Sequence, residues 1–201
     1  MAPTSEPATA RFRSGAGRLC LDFMRTLRLR GTDDATEELA TAQDLADWVA
    51  QLGPYPADVV IPVPMAAVLD RARALREAVH VLLTVARGDG GTAACPPAER
   101  ELLNTAAAGA TPVPRLDETG TAMCGAEDPV GAVLADIARD AITLATSPAL
   151  AQVRACSGPH CAAWFLDTSR PGNRRWCSME TCGNKSKKST WRTKQVTAPS
   201  T

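Results

Sequence analysis

The sequence of 201 residues has few aromatic side chains, no net charge and no long apolar run. It contains only four Trp, three Phe and one Tyr. Its 22 basic and 22 acidic side chains cancel, which excludes a uniformly basic nucleic-acid-binding protein and a strongly acidic disordered chain. No apolar run approaches the roughly 20 residues of a membrane-spanning helix, and the N-terminus lacks the pattern of a secretory signal. We therefore expect a cytoplasmic protein without membrane contact.

The sequence also lacks the common catalytic motifs. It has no Gly-x-Gly-x-x-Gly, no Walker-type phosphate loop and no Gly-x-Ser-x-Gly. His80 lies within a predicted helix, where a packed or surface role is commoner than a catalytic one. Cys20, Cys95 and Cys124 are scattered, and we expect them to behave as small apolar side chains. These absences predict a protein that is not an enzyme.

The zero net charge is the sum of two unlike parts. Residues 1–153 contain 13 Arg, no Lys and 20 acidic side chains, so they carry a charge of −7. Residues 154–201 contain five Arg, four Lys and two acidic side chains, so they carry +7. Three of the four Trp also lie in the last 40 residues. Such an asymmetry indicates an anionic partner for the basic part.

Residues 15–153 predict an α-rich domain with a few short strands. Several segments carry apolar residues at helical spacing, and together they provide enough apolar surface for a core of their own. Residues 18–29 also alternate like a strand, although we favour a helix. Residues 1–14 and 194–201 are predicted to be flexible tails. The predicted helices cover about 18–29, 35–52, 65–87, 98–108 and 129–146, and short strands are predicted near 113–116 and 150–154.

Four cysteines near the C-terminus form two matched pairs. Cys156 and Cys161 are separated by four residues, as are Cys177 and Cys182, and fifteen residues lie between the pairs. This spacing fits a tetrahedral zinc site with four thiolate ligands. An iron–sulfur cluster is the main competitor, although the spacing matches no common ferredoxin pattern, and two disulfides would need an oxidising compartment. His160 could replace one cysteine, but four thiolates already complete the tetrahedron.

The residues around these pairs predict a small zinc finger over residues 154–193. Residues 162–176 have the pattern of a short hairpin, and Ser178 can cap a helix that begins near Met179 and ends near Arg192. A knuckle, a hairpin and a helix make a treble-clef-like arrangement, so the predicted fold class is α+β. A zinc ion with four cysteine ligands has no open position, which makes its role structural rather than catalytic.

Residues 170–194 carry eight basic side chains against a single acid, Glu180. A basic helix held by a zinc ion can bind phosphates, and we therefore predict DNA as the partner. A surface that docks on a protein and a solvated tail are the alternatives. Because the helix is short, a homodimer would read a DNA sequence more easily than one copy. The predicted nucleic-acid contacts are Arg174, Arg175, Lys185, Lys187, Lys188 and Arg192.

The residues of the finger resemble the bacterial CGNR zinc-finger family. Leu19-Cys-Leu-Asp-Phe23, followed by α-rich sequence, resembles the ABATE domain that accompanies this finger. One departure is Lys185, which stands where the family has Arg and keeps the charge without the bidentate geometry. The resemblance rests on Cys156-x4-Cys161, Phe165-Leu-Asp-Thr-Ser169, Arg174-Arg-Trp-Cys-Ser-Met179 and Cys182-Gly-Asn184.

The resemblance implies a stress-induced bacterial transcription regulator. In such a protein the N-terminal domain would sense a small-molecule effector or mediate assembly, and the finger would contact DNA. Two other functions remain open at the level of sequence. One is a protein–protein interaction module that needs zinc for its fold and does not bind DNA. The other is an enzyme in which the zinc is only structural and the pocket lies in residues 15–153.

Overall fold

The described part of the chain consists of five α-helices and three antiparallel strand pairs. The computed structural model describes residues 11–116, 118, 120, 122–158 and 161–184. The helices are α1 (Leu19–Met24), α2 (Ala42–Leu52), α3 (Ala66–Ala86), α4 (Pro97–Ala107) and α5 (Pro129–Ala145). The strands are β1 (Leu27–Arg28), β2 (Thr36–Glu37), β3 (Val113–Leu116), β4 (Ala122–Gly125), β5 (Val153–Ala155) and β6 (Trp164–Leu166). Each strand pairs with its neighbour in sequence, β1 with β2, β3 with β4 and β5 with β6. The α+β class, with an α-rich N-terminal part, is confirmed.

Helices α3, α4 and α5 pack against one another and form the centre of the α-rich part. Helix α5 begins as the sequence predicts, because Asp128 accepts a hydrogen bond from the Gly131 amide at 2.9 Å and Pro129 fills the first helical position. Phe23 and Trp48 meet edge to face in the core, with ring centroids 5.1 Å apart. No helix in the described part of the chain is long and apolar enough to cross a membrane.

Two predicted helices are shorter than the sequence pattern suggested. The helix predicted over 18–29 ends at Met24, and residues 27–28 form a strand instead. The helix predicted over 35–52 begins only at Ala42. Its start is fixed by a capping box in which Thr41 and Asp44 exchange side-chain and backbone hydrogen bonds. Residues 36–37, which precede this cap, pair with the strand at 27–28.

Part of the segment that the sequence predicts as a flexible tail, residues 1–14, contacts the helices. Phe12 is buried, and its backbone N–H and C=O bind the side-chain amide of Gln51 at 3.0 and 2.7 Å. Gly17 lies beside β6 with φ of +88°, and a Cβ there would be 3.1 Å from the Cβ of Leu166. The amide of Leu166 donates to the carbonyl of Ala16 at 2.7 Å. The segment before α1 therefore packs between the helices and β6. Residues 1–10 and 185–201 lie outside the described part.

A buried guanidinium joins β2 to α3. The side chain of Arg76 is 3% exposed and donates to both carboxylate oxygens of Glu37, at 2.7 and 2.5 Å. It also donates to the hydroxyl of Thr26 at 3.0 Å. Burial raises the pKa of Glu37, but the hydrogen bonds and charge of Arg76 outweigh this effect and hold the pKa below its usual value of 4.5.

Replacing Glu37 with Gln should destabilise the α-rich part by about 3 kcal/mol, because Arg76 would stay buried without its main counter-charge. The pKa of Glu37 is lowered on folding, so its contribution is present above pH 4.5 and is lost as the pH falls below that value. Urea unfolding at neutral and acidic pH measures both effects. Asp70→Asn, at an exposed carboxylate, is the matched control and should change the stability by less than about 0.5 kcal/mol. Equal effects of the two variants would contradict the role given to Glu37.

Candidate metal centre

The two cysteine pairs meet in one compact cluster. One Sγ atom from each of Cys156, Cys161, Cys177 and Cys182 lies within 4.8 Å of the others, and all four residues are buried. The Sγ of Cys177 is 3.5 Å from that of Cys161 and 3.7 Å from that of Cys182. Zinc–sulfur bonds of about 2.3 Å place the sulfurs of a tetrahedron about 3.8 Å apart. The cluster therefore has the size that one tetrahedral zinc ion needs.

The first cysteine pair is placed by the hairpin of β5 and β6. Cys156 follows β5, and its amide donates to the carbonyl of Ala163 at 2.9 Å. Gly158 forms the turn between the pair, and a Cβ there would lie 3.3 Å from both Cys161 and Cys182. A larger residue at 158 would therefore crowd two of the four cysteines. His160, the alternative fourth ligand, lies outside the described part of the chain.

The second pair is placed by a short helical turn. Met179–Gly183 forms a π-helical turn that carries Cys182. The side chain of Ser178 caps it by accepting a hydrogen bond from the Thr181 amide at 3.3 Å, as the sequence predicts. The continuation of this helix toward Arg192 lies outside the described residues.

Backbone amides and neighbouring thiols set the charge of the cluster. The amides of Gly158 and Cys177 each lie 3.4 Å from the Sγ of Cys156 and donate to it. The hydrogen bond from Cys177 lowers the pKa of Cys161 to about 4. That same hydrogen bond, together with burial, raises the pKa of Cys177, and burial raises that of Cys182. Cys161 therefore ionises readily, while Cys177 and Cys182 hold their protons. A metal that binds here must displace these protons, so the affinity of the site for the metal falls in acid.

A charged side chain from the N-terminal part reaches the cluster. Arg25 follows α1, and its side chain is only 4% exposed. Its Nη2 lies 3.9 Å from the Sγ of Cys177, and its Nη1 donates to the carbonyl of Ser14 at 3.0 Å and to Asp22 at 3.1 Å. Four thiolates around Zn²⁺ carry a net charge of −2, which this guanidinium partly balances. Sequence reasoning missed Arg25, because nothing in its local pattern relates it to a cysteine 152 residues later.

The aromatic side chains that the structure describes in the finger, Trp164, Phe165 and Trp176, are packing residues. Phe165 is fully buried, and Trp164 and Trp176 are half-buried against the core. The centroid of the Trp164 ring lies 5.6 Å from that of the His80 ring on α3. The guanidinium of Arg87, at the C-terminal end of α3, lies 4.8 Å from the centroid of the Trp164 ring. The finger therefore packs on the α-rich part through Trp164.

Two family models match this chain. The ABATE model, described as "putative stress-induced transcription regulator", matches residues 17–148, which is more than half of the chain. The chain belongs to the ABATE family. The CGNR zinc-finger model matches residues 152–195 of this ABATE protein, and all four clustered cysteines fall inside that match. The resemblance seen in the sequence is confirmed, and the cluster suits one zinc ion. The comparison with curated proteins gave no match.

The structure separates the two predicted arginine contacts of the CGNR finger. Arg175 is exposed, and its guanidinium lies 5.1 Å from the ring of Trp176. Arg174 faces inward: its Nε donates to the carbonyl of Trp176 at 2.8 Å, its Nη2 donates to the carbonyl of Cys177, and its guanidinium lies 4.8 Å from the ring of Phe165. Arg174 thus fixes the chain that enters the second cysteine pair. The other predicted contacts, Lys185, Lys187, Lys188 and Arg192, lie outside the described residues.

Proposed function

We propose that this ABATE protein is a cytoplasmic, non-enzymatic transcription regulator that binds DNA through its CGNR finger. The observation that carries the proposal is the compact four-cysteine cluster. Two exposed arginines, Arg170 and Arg175, lie between its cysteine pairs, and a lysine-rich segment follows Cys182 in the sequence. In this proposal one structural zinc ion is bound by Cys156, Cys161, Cys177 and Cys182. The α-rich part, residues 15–153, would be the regulatory domain and residues 154–193 the finger.

The charges of β5 and of the residues that follow β6 support an anionic partner. Arg154, Arg170 and Arg175 are exposed. The acidic Asp167 is buried and accepts hydrogen bonds from the amide of Ser169 at 3.0 Å and the amide of Arg174 at 2.8 Å. The hydroxyl of Ser169 donates to the same carboxylate and, as the largest effect, lowers the pKa of Asp167. The negative charge therefore points inward, and the arginines face solvent.

The proposed contacts divide into two kinds. Arg175 and the basic residues beyond it would bind backbone phosphates, which positions the finger on the duplex without reading its sequence. Arg174 would contact the duplex beside these residues, while its guanidinium holds the chain before Cys177. A homodimer would bring two fingers to two half-sites and so supply sequence specificity. The full proposed set is Arg174, Arg175, Lys185, Lys187, Lys188 and Arg192.

The test compares alanine variants in duplex-binding titrations of the zinc-loaded chain. We expect Arg175→Ala to weaken binding about fivefold at physiological salt, and the double variant Lys187→Ala, Lys188→Ala to weaken it more, equally across unrelated duplexes. Arg71→Ala, at an exposed arginine of α3, removes the same charge and should leave the affinity unchanged.

Two results would count against this function. Unchanged affinity in the Lys187, Lys188 variant would remove these lysines from the contact surface. The second result is a zinc-loaded chain that binds no duplex at any salt concentration. If a pull-down with that chain also recovers one stoichiometric protein partner, the protein–protein interaction module is favoured.

A further inference from the structure

A small cavity beside the cysteine cluster is lined by arginines. Its volume is about 40 Å³, and one wall comes from the segment around α1 and β1, the other from the chain that follows Cys161. Among the described residues that line it there is no carboxylate, and one, Cys161, is a proposed zinc ligand. The lining residues on which the inference depends are Arg13, Arg25, Arg28, Arg30, His80 and Trp164.

The partners of these arginines leave positive charge facing the cavity. Arg30 is neutralised by Glu77 on α3, which lies behind it. Arg28 pairs with Glu38 at 3.5 Å and Arg25 with Asp22 at 3.1 Å, whereas Arg13 has no ion pair among the described residues, so one positive charge is left without a partner. Burial, together with the positive charge of Arg30, lowers the pKa of His80 below its usual value of 6.5, so this ring is neutral at physiological pH and adds a polar edge without a charge.

Arg25 supplies an independent sign that the cavity takes a ligand. Its side chain is 4% exposed, and its Nε is buried without a hydrogen-bond partner among the residues that the structure describes. A buried N–H of a charged group that lacks an acceptor is costly, and such groups are rare in folded proteins. An acceptor oxygen in the cavity that this residue lines would remove that cost.

We propose that the cavity binds one small oxyanion group, the carboxylate or phosphate of a small metabolite. The guanidinium groups of Arg13, Arg25 and Arg28 would hold it, since guanidinium forks match the geometry of both groups. The volume of about 40 Å³ has room for about three water molecules, which fits one such group and excludes a buried nucleotide. The cavity is thus an effector site, distinct from the proposed DNA contacts and independent of them.

The cavity lies between the α-rich part and the finger, so a bound ligand can affect both. Arg25 lines the cavity and also lies 3.9 Å from the Sγ of Cys177, and Trp164 lines it from β6. A bound oxyanion would therefore contact the α-rich part and the finger together and stabilise their packing.

The test is calorimetric titration of the zinc-loaded full chain with inorganic phosphate and, separately, with malonate, at constant ionic strength. We expect saturable binding of at least one probe with one site per chain. Arg13→Gln and Arg28→Gln should each weaken it by at least about tenfold. Arg71→Gln, which removes the same charge from an exposed position on α3, should leave it unchanged.

Three outcomes would overturn the site. Neither probe binds saturably at millimolar concentration; or Arg71→Gln loses as much affinity as Arg13→Gln, which would indicate a general charge effect; or Arg13→Gln loses duplex binding as well, which would make the arginines contacts for DNA phosphates. Failure of DNA binding in the wild-type chain, with phosphate binding intact, would count against the proposed function alone.

Discussion

We expect Cys177→Ser to release the zinc ion and unfold the C-terminal module while helices α2–α5 stay folded. Cys177 is the most buried of the four cysteines, at 1% exposure, and its Sγ touches two of the others. A structural zinc site supplies about 10–16 kcal/mol of apparent binding free energy at neutral pH, and a small module has little core to replace it. The loss of one thiolate should therefore remove the module's main source of stability.

The structure also indicates how far the disturbance should spread. Arg25 would lose its contact with Cys177. Strand β6, whose Leu166 amide donates to the carbonyl of Ala16, would lose the folded module that holds it in place. Helices α3, α4 and α5 also pack against one another, through contacts in which neither the cysteine cluster nor α1 takes part. We therefore expect the segment from Phe12 to Arg25 to loosen, and the mutual packing of the helices to persist.

Zinc content and thermal unfolding followed by circular dichroism measure this result. The wild-type chain should carry about one zinc ion, and the variant none, with most of its helical signal retained. Cys124→Ser is the matched control, because Cys124 lies outside the cluster, and it should keep its zinc. A variant that still holds one zinc ion would contradict the ligand set. Melting of the whole chain as one unit would contradict the boundary proposed near residue 153.

The affinity of the zinc-loaded chain for duplex DNA should fall about 500-fold between about 50 and 200 mM salt. The reason is counterion release: about five neutralised phosphates give a slope of log K against log salt of about −4 to −5. Five of the six proposed contacts, Arg175 and the four basic residues beyond it, would bind phosphates and so supply this number. Arg174 would contact the duplex beside them while its guanidinium holds the chain before Cys177.

Titrations at several salt concentrations measure the slope. Loss of Lys187 and Lys188 should reduce it by about 2, whereas Arg71→Ala should leave it unchanged. A slope near zero, with binding intact, would show that phosphate contacts do not drive the interaction. The basic residues would then need another role.

The cysteine cluster was predictable because its signal is local. Two short spacings of equal length specify a zinc knuckle and its partner turn. The helix caps made by Asp128 and Ser178 are also local, because each side chain bonds an amide three residues later. Helices α3 and α5 followed from long apolar stripes, which are the most reliable pattern in a sequence. These features depend on residues close together in the chain.

The N-terminal segment was harder to predict because its structure depends on distant contacts. The strand at 27–28 exists through its pairing with 36–37, and Leu29 adopts a left-handed φ of 52° that its residue type does not suggest. The predicted start of α2 at residue 35 was wrong because the capping box of Thr41 and Asp44 starts the helix at Ala42, and residues 36–37 pair with β1 instead.

The arginines of the site show the same division. The sequence grouped Arg174 with Arg175 as nucleic-acid contacts, but the orientation of Arg174 depends on its amide, which donates to Asp167, and its Nε, which donates to the carbonyl of Trp176. Arg25 and the cavity it lines arise only when α1 meets the finger. Charge patterning gave the sign of the surface, and tertiary contacts decide which guanidinium faces outward.

The central claim is that the zinc-held finger binds DNA, and genome-wide occupancy of the native chain tests it most directly. Occupancy should be measured beside that of Cys177→Ser, expressed at the same level, with the metal content of both determined. We predict discrete occupied sites for the zinc-containing wild-type chain and their loss in the variant. Absence of enrichment for a wild-type chain that carries its zinc, or equal occupancy by the zinc-free variant, would contradict the claim.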